Sequence, residues 1–188
     1  MITHLQEFDR CIAIAGFKNV RVEDVTSLLN LLRAKAGGVE VQLFDASVIA
    51  GHEHLFFAAL NALNAFRTGI NISKSLAVEA LLYASAQRQI RRAVERLGVK
   101  PGLSDVALLL IAPSREEAAE ALRSLSRLIP GERSDEVLEL TREKLEKIRE
   151  LFGISSLELK AQLRGRMDEG RAVTELVIEH MALLATQR

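Results

Sequence analysis

The chain has 188 residues, no net formal charge, 48% hydrophobic and 27% charged residues, so it is an ordinary globular sequence long enough to bury a core without a metal or disulfide staple. A neutral chain is no general polyanion binder, no apolar run reaches the length of a membrane span, and the lone Cys11 excludes both a disulfide framework and a cysteine-based zinc site. The opening MITHLQEFDR has acidic residues early and no signal-peptide core, so a cytoplasmic protein is expected.

Arg10 to Phe17 (RCIAIAGF) reads as a buried strand. Val22 to Ala36 reads as a helix, with Asp24 at its start and Gly37-Gly38 at its end. Val39 to Phe44 alternates apolar and polar residues, which predicts a strand with one wet face, and Asp45 to Gly51 is a turn-like connection. His54 to Arg67 is a helix with a wide apolar face, closed by Gly69.

Ser73 to Gly98 organises the rest. Its first half, Leu76 to Ala84, is apolar nearly all round, with Glu79 its only charge, so it should run through the core. Asn71, Ser73 and Ser75 are the candidate caps. From Arg88 the pattern changes: Ile90, Val94 and Leu97 make one stripe, expected to face inward, while Arg88, Arg92 and Arg96 make another. Gly98 falls where a left-handed stop is expected, and Pro101 follows.

Asp105 to Ala112 (DVALLLIA) is the most strand-like run and is expected at the centre of the sheet. Ser114 caps a helix that Pro130-Gly131 ends, giving a possible elbow near 130–133 within one domain. Ser134 to Phe152 reads as one long charged helix with a seam of Leu138, Thr141, Leu145, Ile148 and Phe152. A short helix over Ser155 to Leu163, a polar break over Gly165 to Gly170 and a last helix over Arg171 to Ala185 follow, the last with Val173, Leu176, Val177, His180 and Leu184 inward. The elements predict a single α+β domain over 1–188, with about three strands and about eight helices. The opening strand–helix–strand should be parallel and right-handed if its strands are neighbours.

Catalytic signals are missing. There is no GxGxxG, no GxxxxGK[ST], and no HRD or DFG triplet, so ATP binding by those routes is excluded. His52 and His54 have no further ligand at metal spacing. No nucleophile, base and orienter come together, so no catalytic residue, cofactor or metal is expected. What remains is charge. Between Asn61 and Lys100, Arg67, Lys74, Arg88, Arg91, Arg92, Arg96 and Lys100 face only Glu79 and Glu95. Two readings stand: a solvated basic face, or a local site for phosphates. Tyr83 likewise is either core with its hydroxyl at the rim, or a ring that stacks on an unpaired base.

"LLYASAQRQI" and "AVERLGV", preceded by "VIAGHEHLFFA", resemble the Cgi-type (TPRKB-like, PRPK-binding) subunit of the KEOPS complex, over most of the chain. The resemblance implies a non-catalytic subunit in the making of threonylcarbamoyladenosine in tRNA. It further implies that the chain binds a PRPK-type kinase and the single-stranded 3′ end of tRNA. On that reading the RNA-contacting candidates are His54, Lys74, Ser75, Tyr83, Arg88, Gln89, Arg91 and Arg92, with the helix start at Ser73–Ser75 offering backbone N–H groups to a phosphate. The footprint of the kinase is unassigned. The rivals are a protein-only scaffold that regulates its partner without touching RNA, and a small-molecule enzyme of unrecognised type.

Overall fold

Two long strands carry the architecture of the computed structural model, which describes residues 1–163 and 168–186. β2 (Arg10–Val22) and β4 (Gly102–Ala112) pair antiparallel along most of their length. β1 (Ile2–Leu5) flanks β2 on one edge and β3 (Glu40–Asp45) flanks β4 on the other, giving the order β1-β2-β4-β3. A two-residue strand, β5 (Glu132–Arg133), also pairs with β2. Among the described residues the sheet therefore has five strands rather than about three, all antiparallel. β4 does sit centrally, and by lying between β2 and β3 it prevents the parallel pairing considered for them.

Both faces of the sheet are covered. Ile12 and Ile14 of β2 and Ala107, Leu109 and Ile111 of β4 point into one core, and Cys11, Ala13, Ala15 and Phe17 with Val106, Leu108 and Leu110 point into the other. That follows from the two-residue period of a strand. α1 (Val25–Lys35) and α5 (Arg115–Ser126) close the second face. α2 (Gly51–Thr68), α3 (Leu76–Ala84) and α4 (Ile90–Leu97) build over the first. The predicted wet face of β3 is not there: Gln42 is buried, its amide donates to Leu43 O at 3.0 Å, and Arg33 of α1 reaches its carbonyl.

The segment after Pro130 differs from the expected single long helix. Residues 134–141 are a 3-10 turn (Asp135–Leu138) and a short extended stretch. Asp135 accepts the Gly16 N–H at 2.8 Å, which ties the turn to β2, and Thr141 Oγ1 accepts the Lys144 N–H to start α6 (Arg142–Phe152) afresh. α6, α7 (Ser156–Leu163) and α8 (Glu169–Thr186) share a third core of Ile148, Phe152, Ile154, Leu159, Val173, Leu176 and Val177. The α6 seam thus packs inside this unit, while His180 stays at its edge, 3.9 Å from Glu158. Of the polar break expected over Gly165 to Gly170, 165–167 lie outside the described residues, while Glu169 and Gly170 already belong to α8.

Candidate functional site

α3 is buried at seven of its nine residues, including Glu79 at 1% exposure, with Leu76 and Val78 partly exposed. Its start is built entirely from the chain's own acceptors. Ser75 is the cap, its Oγ accepting the Val78 N–H at 3.4 Å. Glu40, arriving from β3, accepts the Ala77 N–H at 3.0 Å and the Ser75 hydroxyl at 3.4 Å. Glu79 turns back to accept Ser73 N–H at 2.7 Å and Ile72 N–H at 3.0 Å, and Ser73 Oγ takes the Ser75 N–H at 3.1 Å. A helix start attracts anions because its first N–H groups lack partners. Here two carboxylates already occupy that position, so the expected phosphate donors at Ser73–Ser75 are engaged internally. Ser75 serves as cap and Lys74 stands exposed beside it.

The other end of α3 is closed with equal completeness. The last four carbonyls of a helix have no intrahelical donor. Here Gln87 N–H reaches Leu82 O at 3.0 Å and Ala86 N–H reaches Tyr83 O at 2.9 Å, the double bond of a Schellman turn. Ala86 occupies the left-handed position at φ 50°, where a side chain costs about 1 kcal/mol more than glycine. His54 Nε2 meets Ala84 O at 2.8 Å, and Arg96 Nη1 donates to Ser85 O at 3.2 Å.

His54 is therefore a strut. It is fully buried, its Nδ1 accepts the Ala50 N–H at 3.0 Å, and so Nε2 carries the proton that Ala84 O receives. Burial pushes its pKa down to about 4, outweighing the carbonyl bond that favours the charged form. A neutral imidazole sealed from solvent has no atom to offer RNA, which corrects its placement among the RNA contacts. Tyr83 is corrected in part: at 5% exposure its ring is core, which leaves no open face for a stacked base. Burial first, and Glu79 second, raise its phenol, while Arg88 pulls the other way.

Arg96 also leaves the expected guanidinium row. Besides Ser85 O it donates to Leu151 O near the end of α6, and it lies 5.3 Å over the Phe152 ring. Phe152 in turn meets His54 edge-on at 5.7 Å. So Arg96 joins α4 to the C-terminal unit instead of facing solvent. Arg88, Gln89, Arg91 and Arg92 do stand exposed at the start of α4, with Arg91 paired to Glu95 at 2.9 Å. The candidates thus fall into two groups separated by the length of α3, nine residues or about 13 Å: Lys74 at one end, and the α4 residues at the other.

The inward face of α4 is Ala93 and Leu97, both fully buried. Ile90 and Val94, expected inside, are each 48% exposed and line a cleft of about 490 Å³ together with Leu29 of α1, Leu81 of α3 and Pro101. Sequence reasoning missed this because the i, i+4, i+7 stripe is the more apolar one. The pairing of a small Ala93 with Leu97 was the signal for the close-packed face. Gly98 is not left-handed (φ −70°) but is needed for contact, since a Cβ there would lie 2.5 Å from Val94 O.

Among the described residues no cluster of His, Cys, Asp and Glu is arranged to hold a metal, and no helix is long and apolar enough to cross a membrane. Residues 17–185 match the family described as "Kinase binding protein CGI-121". The chain is also 32% identical over 175 residues to the "Regulatory protein Cgi121" of Methanocaldococcus jannaschii, covering 93% of this chain and 98% of that protein. With a buried helix, a short arginine-bearing helix set on its end and a match of this extent, the chain belongs to the CGI-121 family of kinase-binding proteins.

Proposed function

We propose that this protein is a non-catalytic regulatory subunit of a KEOPS-type tRNA-modifying assembly, docking a PRPK-type kinase and holding the single-stranded 3′ end of tRNA. The observation that carries the RNA part is the exposure of Arg88, Arg91 and Arg92 around the start of one short helix whose axis is fixed from behind. Guanidinium groups neutralise phosphates or stack on bases without a broad aromatic platform, which this chain lacks at 4% aromatic residues. Lys74 extends the positive surface toward the other end of α3. The kinase is assigned to the apolar edge of α4, where Ile90 and Val94 border the cleft against α1; a half-exposed apolar pair in a family described as kinase-binding fits a protein partner.

A tRNA titration with and without the 3′ tail tests the RNA reading. Neutralising about three phosphates of a single strand gives a slope near −2 for log affinity against log salt. Arg88→Glu with Arg92→Glu weakens binding and leaves the melting temperature nearly unchanged, while Ile90→Glu removes co-purification with the kinase and spares RNA. A tail-independent or salt-independent signal counts against the RNA reading and leaves the protein-only scaffold.

A further inference from the structure

Away from α4, the pairing of β2 with β4 is interrupted between Phe17 and Val20. Asn19 takes a left-handed conformation at φ 54°, and Asp105 of β4 accepts its N–H at 3.1 Å. Such bulges end a ladder and open space beside it. Here the space is a cavity of about 480 Å³ between the bulge, the 3-10 turn at 135–138 and the first turn of α6. Lys144, 9% exposed, lines it, as does Val137, whose carbonyl accepts the Lys144 amine at 2.9 Å.

This lysine sits against several local preferences. It is nearly buried, it occupies the first turn of α6 where the helix end is positive, and among the described residues its amine meets a backbone carbonyl and no carboxylate within 4 Å. Burial therefore lowers its pKa to about 8, although Asp105 and Asp45 favour the charged form from a distance. The other two lysines of the cavity are exposed and paired, Lys18 with Glu132 at 3.1 Å and Lys147 with Glu143 at 2.7 Å. Residues that break local rules in this way collect at functional sites. The lining does not suit a free anion, because Asp105, Glu136, Glu139 and Glu143 outnumber the three lysines. An uncharged electrophile meets no such barrier.

We propose that Lys144 is an acylation site for small uncharged acyl thioesters admitted to this cavity. The amine lone pair attacks the acyl carbon, the C–S bond breaks, and the departing thiolate takes up the proton released from nitrogen, leaving an amide and a free thiol. The amide keeps an N–H for Val137 O and removes the buried charge. At pH 7.5 an amine titrating near 8 is about 200-fold richer in free base than an ordinary lysine, a gain that its lower basicity and restricted access reduce.

The test uses the full chain, S-acetyl-N-acetylcysteamine at pH 7.5, and mass spectrometry of peptides covering its seven lysines. Lys144 is expected to acetylate at least about 10-fold ahead of the exposed Lys74 and Lys100, to lose that lead in urea, and to raise the melting temperature once modified. Lys144→Arg should leave labelling elsewhere unchanged and abolish the thermal gain. Labelling of Lys144 no faster than Lys74, or a lead that persists in the unfolded chain, overturns the proposal.

Discussion

The strut at His54 makes a sharp prediction about acid. A buried imidazole whose folded pKa is about 4, against about 6.5 in an unfolded chain, stays neutral in the fold while the unfolded chain takes up a proton. Its contribution is complete above about 6.5 and declines as pH falls toward 4. Between pH 7 and pH 5 the loss from this one residue is about 2 kcal/mol. Carboxylates held low by their partners, such as Asp135, act below this window. His52, lowered by burial first and by the N-terminal amine second, works in the same direction, so His52→Asn is the needed control. His54→Gln retains a donor for Ala84 O but strands the Ala50 N–H, costing about 1–3 kcal/mol at pH 7, and removes the titrating group. Urea melts at pH 7 and pH 5 read both effects. With a slope of about 2 kcal/mol per molar urea, the wild-type midpoint should fall by about 1 M more than that of His54→Gln over this interval. An equal fall in both proteins refutes the assignment of a buried neutral strut.

Two further substitutions probe the supports of α4. Arg96→Ala leaves Ser85 O and Leu151 O without their donor and uncovers Phe152, so a loss of about 2–4 kcal/mol is expected by urea melting; Arg96→Lys, which keeps charge but not the fork, should recover only part of it, and a change within about 0.5 kcal/mol for Ala discounts the tie. Gly98→Ala places a Cβ against Val94 O and should cost about 1–3 kcal/mol despite the ordinary φ of −70°, a melting temperature equal to wild type being the contrary result.

What the sequence carried and what it withheld follow from locality. β2, β4 and the helices α1 to α3 announce themselves through runs and periods that need no tertiary partner. Asp24 caps α1 through Ser27, and Gly69 closes α2 in the left-handed conformation, both as their residue types demand. β1 was missed because Ile2–Leu5 has little apolar character of its own and becomes a strand only by pairing with Arg10–Ala13 after the left-handed Asp9. Residues 134–141 were read as helix because their leucine spacing continues that of α6. The bond from Gly16 to Asp135, across more than a hundred residues, takes the turn out of that helix. The site divides in the same way. Exposure of Arg92 is legible from an arginine on a short helix, whereas the burial of His54 depends on carbonyls that only the folded chain presents.

The engaged state of the α3 start bears on how firmly this chain alone would hold RNA under the proposed function. Had Ala77, Ser73 and Ile72 kept their N–H groups free, a phosphate would have found oriented donors in a partly buried setting. Glu40 and Glu79 take those donors and place negative charge there, so a phosphate must rely on side chains in water. Such contacts are screened over about 8 Å at physiological salt and each contributes little. Arg91 is already shared with Glu95, and Lys74 lies a helix length away. The affinity expected of this chain by itself is consequently weak and steeply salt-dependent. Weak holding still serves a regulatory subunit. On the proposed function, a tRNA tail held by the chain while it is docked on a kinase would be confined near the rest of the assembly, and confinement multiplies two modest affinities without any new contact. Arg92 lies across α4 from Ile90 and Val94, and Arg88 precedes the helix, which is what would allow both engagements at once.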